Sequence, residues 1–283
     1  MSNPLVTVIC VCYNQARFVT EALDSVAAQT YQPIELIVID DGSTDGSKEV
    51  IEKWIANRPD TVLLLNGMNI GYCKTFNKAA AVAKGKYLID LSADDWLLPE
   101  RVAVGVQALE SNPQAGVTFS DAEHVNESGT KINLHSDRFP HQTIPSGDVY
   151  QVVIKRFFIC SPTMMFSRAM FEELGEYDET LDYEDFDFWI RSSRKYHYAY
   201  TPWVLVKKRK VDGSLSDVQF RLRSAHSAST LRVCEKIYKL NKTEAEQKAL
   251  NTRLRYEIIL NLRLLNFKIA CGFFKLWMRN RSA

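Results

Sequence analysis

Two carboxylates stand side by side at Asp94-Asp95, within Leu91-Ser92-Ala93-Asp94-Asp95-Trp96. With no His or Cys beside them they offer oxygen donors only, which suits a hard divalent cation such as Mg2+ or Mn2+. Taken alone the pair reads equally as an acidic turn, because short motifs match by chance. A second cluster holds four carboxylates, Asp182, Glu184, Asp185 and Asp187, at the start of a predicted helix. Acidic residues offset the positive end of a helix, so capping is the plain reading. Asp187 and Arg191, four apart, read as a surface ion pair. Asp185 lies one turn before Trp189, so a carboxylate and an aromatic face are expected to meet one ligand. A third group, Asp41, accepts hydrogen bonds only. It suits the imide N–H of a base, and suits a turn or helix cap equally well.

The pattern of elements decides whether these groups converge. Leu5–Cys12 is a short apolar run, followed by a predicted helix over 16–28. Strands are predicted over 34–39, 62–65 and 87–91, separated by helices over 48–56 and 74–83. Pro99 marks a further helix start. Strands alternating with helices at this spacing define βαβ units and a mostly parallel sheet, an α/β class. In such a sheet Val11–Asn14, Asp40-Asp41 and Asp94-Asp95 leave on one edge, where ligands bind.

Further along, a helix over 101–109, a strand over 116–120 and a hairpin over 122–133 turning at Glu127-Ser128-Gly129 are predicted. Residues 134–147 are irregular and polar, the pattern of a surface loop, and His135 and His141 read as exposed loop histidines. Strands are expected over 160–166 and 199–208. The basic run Lys207-Lys208-Arg209-Lys210 reads either as a diphosphate ligand or as a solvated surface.

The 283 residues suffice for one large domain with an appendage, and 46% hydrophobic content is that of a folded globular chain. The net charge of +1 hides an asymmetry: residues 218–283 hold 14 Lys+Arg against 4 Asp+Glu, the remainder 21 against 30. The six cysteines show no zinc-like or CxxC spacing, and Cys10 and Cys12 read as small core or pocket residues. The expectation is a reducing compartment, with no signal peptide and no membrane span. In the tail, Thr243-x-x-Glu246 is a capping-box signature. Leu250, Leu254, Ile258, Leu262, Leu265 and Ile269 recur at helical spacing as a packing stripe. Residues 267–281 mix Phe273, Phe274 and Trp277 with Lys268, Lys275, Arg279 and Arg281, the pattern of a helix that lies on an anionic membrane.

The ordered set Val8–Asn14, Ser25–Tyr31, Glu35–Gly46, Asn69-Ile70-Gly71, Asn77, Gly85-Lys86-Tyr87, Ser92–Asp95, Phe171–Glu179 and Glu184–Trp189 resembles a family 2 glycosyltransferase with the GT-A fold. The likeness spans about residues 5–215. It implies a GT-A, Rossmann-like central sheet flanked by helices over 1–217, and the charge and helical spacing of the remainder make 218–283 a basic helical C-terminal extension. It implies a nucleotide-sugar donor, usually of UDP, held by Val11, Cys12, Tyr13, Asn14, Asp41 and Asp94, with Mn2+ or Mg2+ on Asp94 and Asp95. It makes Asp185 the base for inverting transfer, with Glu184 the alternative, and a saccharide or glycolipid the acceptor. Three positions depart from the family pattern. Val11-Cys12 replaces Pro-Thr, and Thr75-Phe76 replaces an Ala-Arg pair, which makes Lys74 the substitute contact. Val211 replaces a His, so that either a third metal or phosphate ligand is missing or Arg209 and Lys210 stand in for it.

Surface polysaccharide or glycolipid synthesis follows as the expected role. The expected location is the cytoplasm, with peripheral contact at the inner membrane face. The tail helices also offer an oligomer contact, and no nucleic-acid partner is expected. Two rivals remain: a non-catalytic nucleotide-sugar-binding scaffold, and a GT-A-like nucleotidyltransferase.

Overall fold

The computed structural model describes residues 3–139, 143–211, 222 and 226–281. The chain divides into two compact units, one of residues 1–147, 159–179 and 196–211, the other of 148–158, 180–195 and 212–283.

The first unit is built on a nine-stranded sheet. Its opening half is β1 (Val6–Cys12), α1 (Val19–Ala27), β2 (Ile34–Asp40), α2 (Ser47–Ile55), β3 (Val62–Leu65), α3 (Tyr72–Ala80) and β4 (Tyr87–Ser92). β1 is buried along its whole length, as expected for a strand covered on both faces. The order β3-β2-β1-β4 is parallel throughout.

The sheet then turns mixed. A two-residue strand β5 (Trp96–Leu97) leads into α4 (Arg101–Glu110), and β6 (Ala115–Val125) forms a hairpin with β7 (Lys131–Leu134). After α5 (Tyr150–Lys155), which belongs to the second unit, come β8 (Met165–Ser167), α6 (Arg168–Glu173), α7 (Asp185–Ser193) and β9 (His197–Arg209). β8 runs antiparallel to both β4 and β6, and β9 pairs with β6 in parallel and with β5 in antiparallel sense. The strand expected over 160–166 is shorter than predicted: Ser161–Thr163 forms a 3-10 turn and pairing begins at Met165. Pro162 cannot donate to a ladder, which delays the strand.

The second unit gathers α5, α7 and three tail helices, α8 (His226–Leu240), α9 (Glu244–Arg263) and α10 (Phe267–Arg281). The sequence predicts the first of these helices over 220–240, and its start at 220–225 lies outside the described residues, apart from Leu222. The capping box at the start of α9 is formed: Thr243 Oγ1 accepts from Glu246 N, and Glu246 accepts from Thr243 N.

The packing stripe of the tail is only half realised. Leu250 and Leu254 are fully buried, but Leu262 and Leu265 are exposed, and Leu265 takes a left-handed φ of 59° where α9 hands over to α10.

The Asp187–Arg191 pair is not a surface pair. Asp187 is 1% exposed and accepts from Arg191 Nε at 2.7 Å and from Lys236 Nζ at 2.5 Å. Trp189 is also buried, edge-on to Phe157 at 5.6 Å, so it presents no aromatic face to a ligand.

Candidate active site

The strand register fixes the site. Cys12 pairs with Asp40, and Val11 with Ser92, so β1, β2 and β4 end together on one edge. Main-chain bonds carry the alignment into the loops: Asp41 N donates to Cys12 O at 2.8 Å, and Ala93 N to Val11 O at 3.0 Å. Asp41, Asp94, Asp95 and residues 11–14 therefore share one rim, as the parallel pattern predicts.

The loops after β1 and β2 are tied by short side chains. Asn14 N donates to Ser43 Oγ, Asn14 Oδ1 accepts from Thr44 N, and Ala16 N donates to Asp45 Oδ2. Asn14 holds a positive φ of 54°, a conformation asparagine tolerates better than most residues. Val11 and Cys12 are buried, while Tyr13 is 46% exposed.

Asp41 is 2% exposed and organises the next loop. Its Oδ1 accepts from Asn66 Nδ2 at 2.8 Å and Ile70 N at 3.0 Å, and its Oδ2 from Gly71 N at 3.2 Å. It thus holds the chain entering α3, a favourable place for a negative charge. Gly42 follows at φ +73°, and a Cβ there would meet the Met68 main chain at 2.5 Å, so the loop closes only over glycine. On α3, Lys74 is exposed. Phe76, which replaces the family's arginine, is fully buried against Phe166, Phe171 and Tyr177.

The Asp94-Asp95 turn is clamped from β9. Asp95 Oδ1 accepts from Arg209 N at 2.8 Å. The Arg209 side chain donates to Asp94 O at 3.1 Å, to Glu127 O at 2.6 Å and to the Glu21 carboxylate. Its guanidinium lies over Phe18 and Trp96. Arg209 is therefore committed to holding the acidic turn and does not stand in as a diphosphate ligand. Lys210 is exposed.

Burial raises both carboxyls above their ordinary range, Asp95 strongly, and the neighbouring Asp94 charge adds to the rise at Asp95. Lys208 and Arg209 oppose this only in part. Two desolvated carboxylates side by side are costly unless a cation neutralises them. Their oxygen-only donor set fits Mg2+ or Mn2+.

In the second unit Asp185 opens α7 and is partly exposed, and Glu184 precedes it as the N-cap residue. Phe186 N donates to Asp185 Oδ1 at 2.6 Å.

Several groups near the rim carry no sequence signal. Asp90, on β4, accepts from Tyr72 at 2.6 Å and from Tyr177 at 3.0 Å, partners far apart in the chain. His135 is not an exposed loop histidine: it is 4% exposed and stacks on His124. His141 lies outside the described residues.

Three strand ends of a mixed sheet thus converge on the Asp94-Asp95 turn, the edge at which α/β sheets bind ligands. The sequence profile of glycosyl transferase family 2 matches residues 7–175, and the chain belongs to that family. It is 28% identical over 194 residues to an uncharacterized glycosyltransferase of Methanocaldococcus jannaschii, covering 68% of this chain and 65% of that one. It is 26% identical over 270 residues to an uncharacterized glycosyltransferase of Haemophilus influenzae, covering 90% and 80%. The chain thus spans just under two thirds of the archaeal relative.

Among solved structures, S. aureus TarS 1–349 in complex with UDP-GlcNAc matches with a TM-score of 0.72 at 18% identity, covering 97% of this chain and 79% of that one. The mannosyltransferase PcManGT of Pyrobaculum calidifontis, in complex with GDP-Man and Mn2+, matches with a TM-score of 0.62 at 18% identity, covering 100% and 83%. These likenesses establish a GT-A glycosyltransferase fold with a C-terminal helical region.

Proposed function

We propose that the chain transfers a sugar from a UDP-sugar to a saccharide or lipid-linked saccharide, with inversion, in surface polysaccharide or glycolipid synthesis. The observation that carries this reading is the Asp94-Asp95 turn, with Asp95 buried, on the rim shared by β1, β2 and β4. Val11, Cys12, Tyr13, Asn14 and Asp41 hold the nucleotide, and exposed Lys74 reaches it in place of the missing arginine. A divalent cation on Asp94 and Asp95 would supply positive charge to the departing diphosphate. Asp185 takes the acceptor hydroxyl proton as that oxygen bonds to the anomeric carbon. The bond from that carbon to the diphosphate oxygen breaks, and its electron pair leaves with the diphosphate. The complexes of TarS with UDP-GlcNAc and of PcManGT with GDP-Man and Mn2+ support donor class and metal by likeness of fold.

Calorimetric titration with UDP tests the donor site. Wild type is expected to bind in the presence of Mn2+ and at least about tenfold more weakly without it, since a cation screens the diphosphate from the carboxylates. Asp95→Ala is expected to lose the metal-dependent part. Binding that ignores both metal and mutation would sink the assignment, and binding without turnover across acceptors would favour a scaffold.

The acceptor side of the reading extends to a membrane surface. Among the described residues no helix is long and apolar enough to cross a membrane. On α10, however, Phe267, Phe274 and Met278 are exposed beside Lys268, Lys275 and Arg279. Aromatic and basic groups on one helix surface suit the interface of an anionic bilayer. Sedimentation with phosphatidylglycerol vesicles is expected to carry the protein down, and Lys268→Glu/Lys275→Glu to leave it in solution. Equal sedimentation of both would refute the contact.

A further inference from the structure

We propose that His124, His135 and Cys160 form a zinc site, separate in chemistry from the Asp94-Asp95 turn. His124 lies on β6, His135 follows β7, and Cys160 immediately precedes the 3-10 turn at 161–163. All three belong to the first unit. Their ligand atoms lie within 4.8 Å of one another.

The separation of the two imidazoles is the telling distance. His124 Nε2 and His135 Nδ1 are 3.4 Å apart. That is long for a hydrogen bond, whose donor–acceptor distances run about 2.7–3.2 Å. It matches two nitrogens on one tetrahedral ion, which at Zn–N distances of about 2.0–2.1 Å stand about 3.4 Å apart. A sulfur at about 2.3 Å from the same ion would lie about 3.6 Å from each nitrogen. Small rotations of the Cys160 side chain therefore complete the set, with water as the fourth ligand.

The surroundings favour the ligating form of His124, while burial pushes the Cys160 thiol up to about 11, so that the ion itself must draw off its proton. The three residues are buried among described elements. Burial, with Lys208, His135, Lys210 and Arg138 nearby, holds His124 neutral, the state a metal requires. Those cations also repel an ion, while Asp95 and Asp121 act on Cys160 in the opposite sense. The thiol gives its proton to solvent as it ligates. One thiolate and two imidazoles select Zn2+ over Mg2+ or Mn2+, whereas the aspartate pair selects the reverse. Such an ion would pin β6, the turn after β7 and the segment before β8 to one point.

Cobalt substitution tests this on the full chain after EDTA dialysis under reducing conditions. Co2+ is expected to give a sulfur-to-metal charge-transfer band and intense tetrahedral visible bands at one equivalent. One equivalent of Zn2+ should erase them, and a hundredfold excess of Mn2+ should not. The band should disappear in Cys160→Ala and persist in Cys271→Ser, an exposed thiol. It should also persist in Asp95→Asn, which separates this site from the proposed donor site whatever the fate of that reading. His135→Gln should weaken Co2+ at least about tenfold. Absence of the band in wild type, or its survival in Cys160→Ala, overturns the proposal. If Cys160→Ala does not fold, wild-type Co2+ affinity in a folded His135→Gln overturns it equally.

Discussion

Replacing Asp185 with Asn will lower kcat by about 10²–10⁴-fold while leaving UDP affinity in the presence of Mn2+ unchanged. The substitution keeps the size of the side chain and its place at the head of α7, but removes the basic oxygen proposed to receive the acceptor proton. Because it acts on proton transfer rather than on donor binding, the loss belongs in kcat. Glu184→Gln, one residue earlier, should cost less than about tenfold. The check is steady-state transfer with a UDP-sugar and acceptor, beside calorimetry on the same preparations. A larger loss in Glu184→Gln would exchange the roles of the two carboxylates. A comparable fall in UDP affinity would move Asp185 from the acceptor proton to the donor.

The second large effect concerns stability. Arg253, on α9, is 3% exposed and donates to Glu257 Oε1 at 3.2 Å and to the Ile154 carbonyl of α5 at 3.0 Å. Its guanidinium also lies 4.0 Å from the Phe157 ring centroid. Glu257 is itself buried, and desolvation raises its carboxyl above the ordinary range despite the arginine. Arg253→Ala leaves that carboxylate without its counter-charge, strips a helix-end carbonyl of its donor and empties volume beside Phe157. Breaking one partner of a buried pair costs about 3–5 kcal/mol. The double change Arg253→Met/Glu257→Leu removes the stranded charge and should recover most of the loss. Urea unfolding of the full chain measures both. A single-mutant cost below about 1 kcal/mol, or a double mutant no better than the single, would show that the pair does not hold α5 to α9.

Some of this was legible from local pattern and some was not. The run Val6–Cys12, the alternation of short apolar strands with helices, and the capping box at Thr243 and Glu246 are local signals, and the structure realises each. The shared rim follows from parallel order alone. What the sequence hides is partnership across distance. Nothing about the basic run 207–210 says that Arg209 turns inward to Glu21 and the acidic turn, because burial of a long cation depends on acceptors supplied elsewhere. Asp187 looked like half of an exposed helical pair until Lys236, 49 residues on, supplied its second cation. His135 sits in polar sequence that reads as surface, yet it is buried against His124 of β6. Phe76 is the converse case: its buried aromatic cluster accounts for the type of residue found there, but not for how the nucleotide contact is replaced.

The parallel pairing of β6 with β9 bears on how a nascent chain matures. β6 ends at Val125, but its partner begins only at His197. At the usual ~5–20 residues per second of synthesis, the buried strand stays open along one side for about 4–14 s. An open strand edge is a template for pairing with other chains. The family-matched stretch 7–175 stops short of β9 altogether. Such a fragment would carry the acidic turn without the Arg209 amide that holds Asp95, and would expose the edge of β6. The Asp94-Asp95 turn is therefore clamped only once the ribosome has passed residue 209, and α7, which carries Asp185, waits further for the Lys236 that pairs with Asp187.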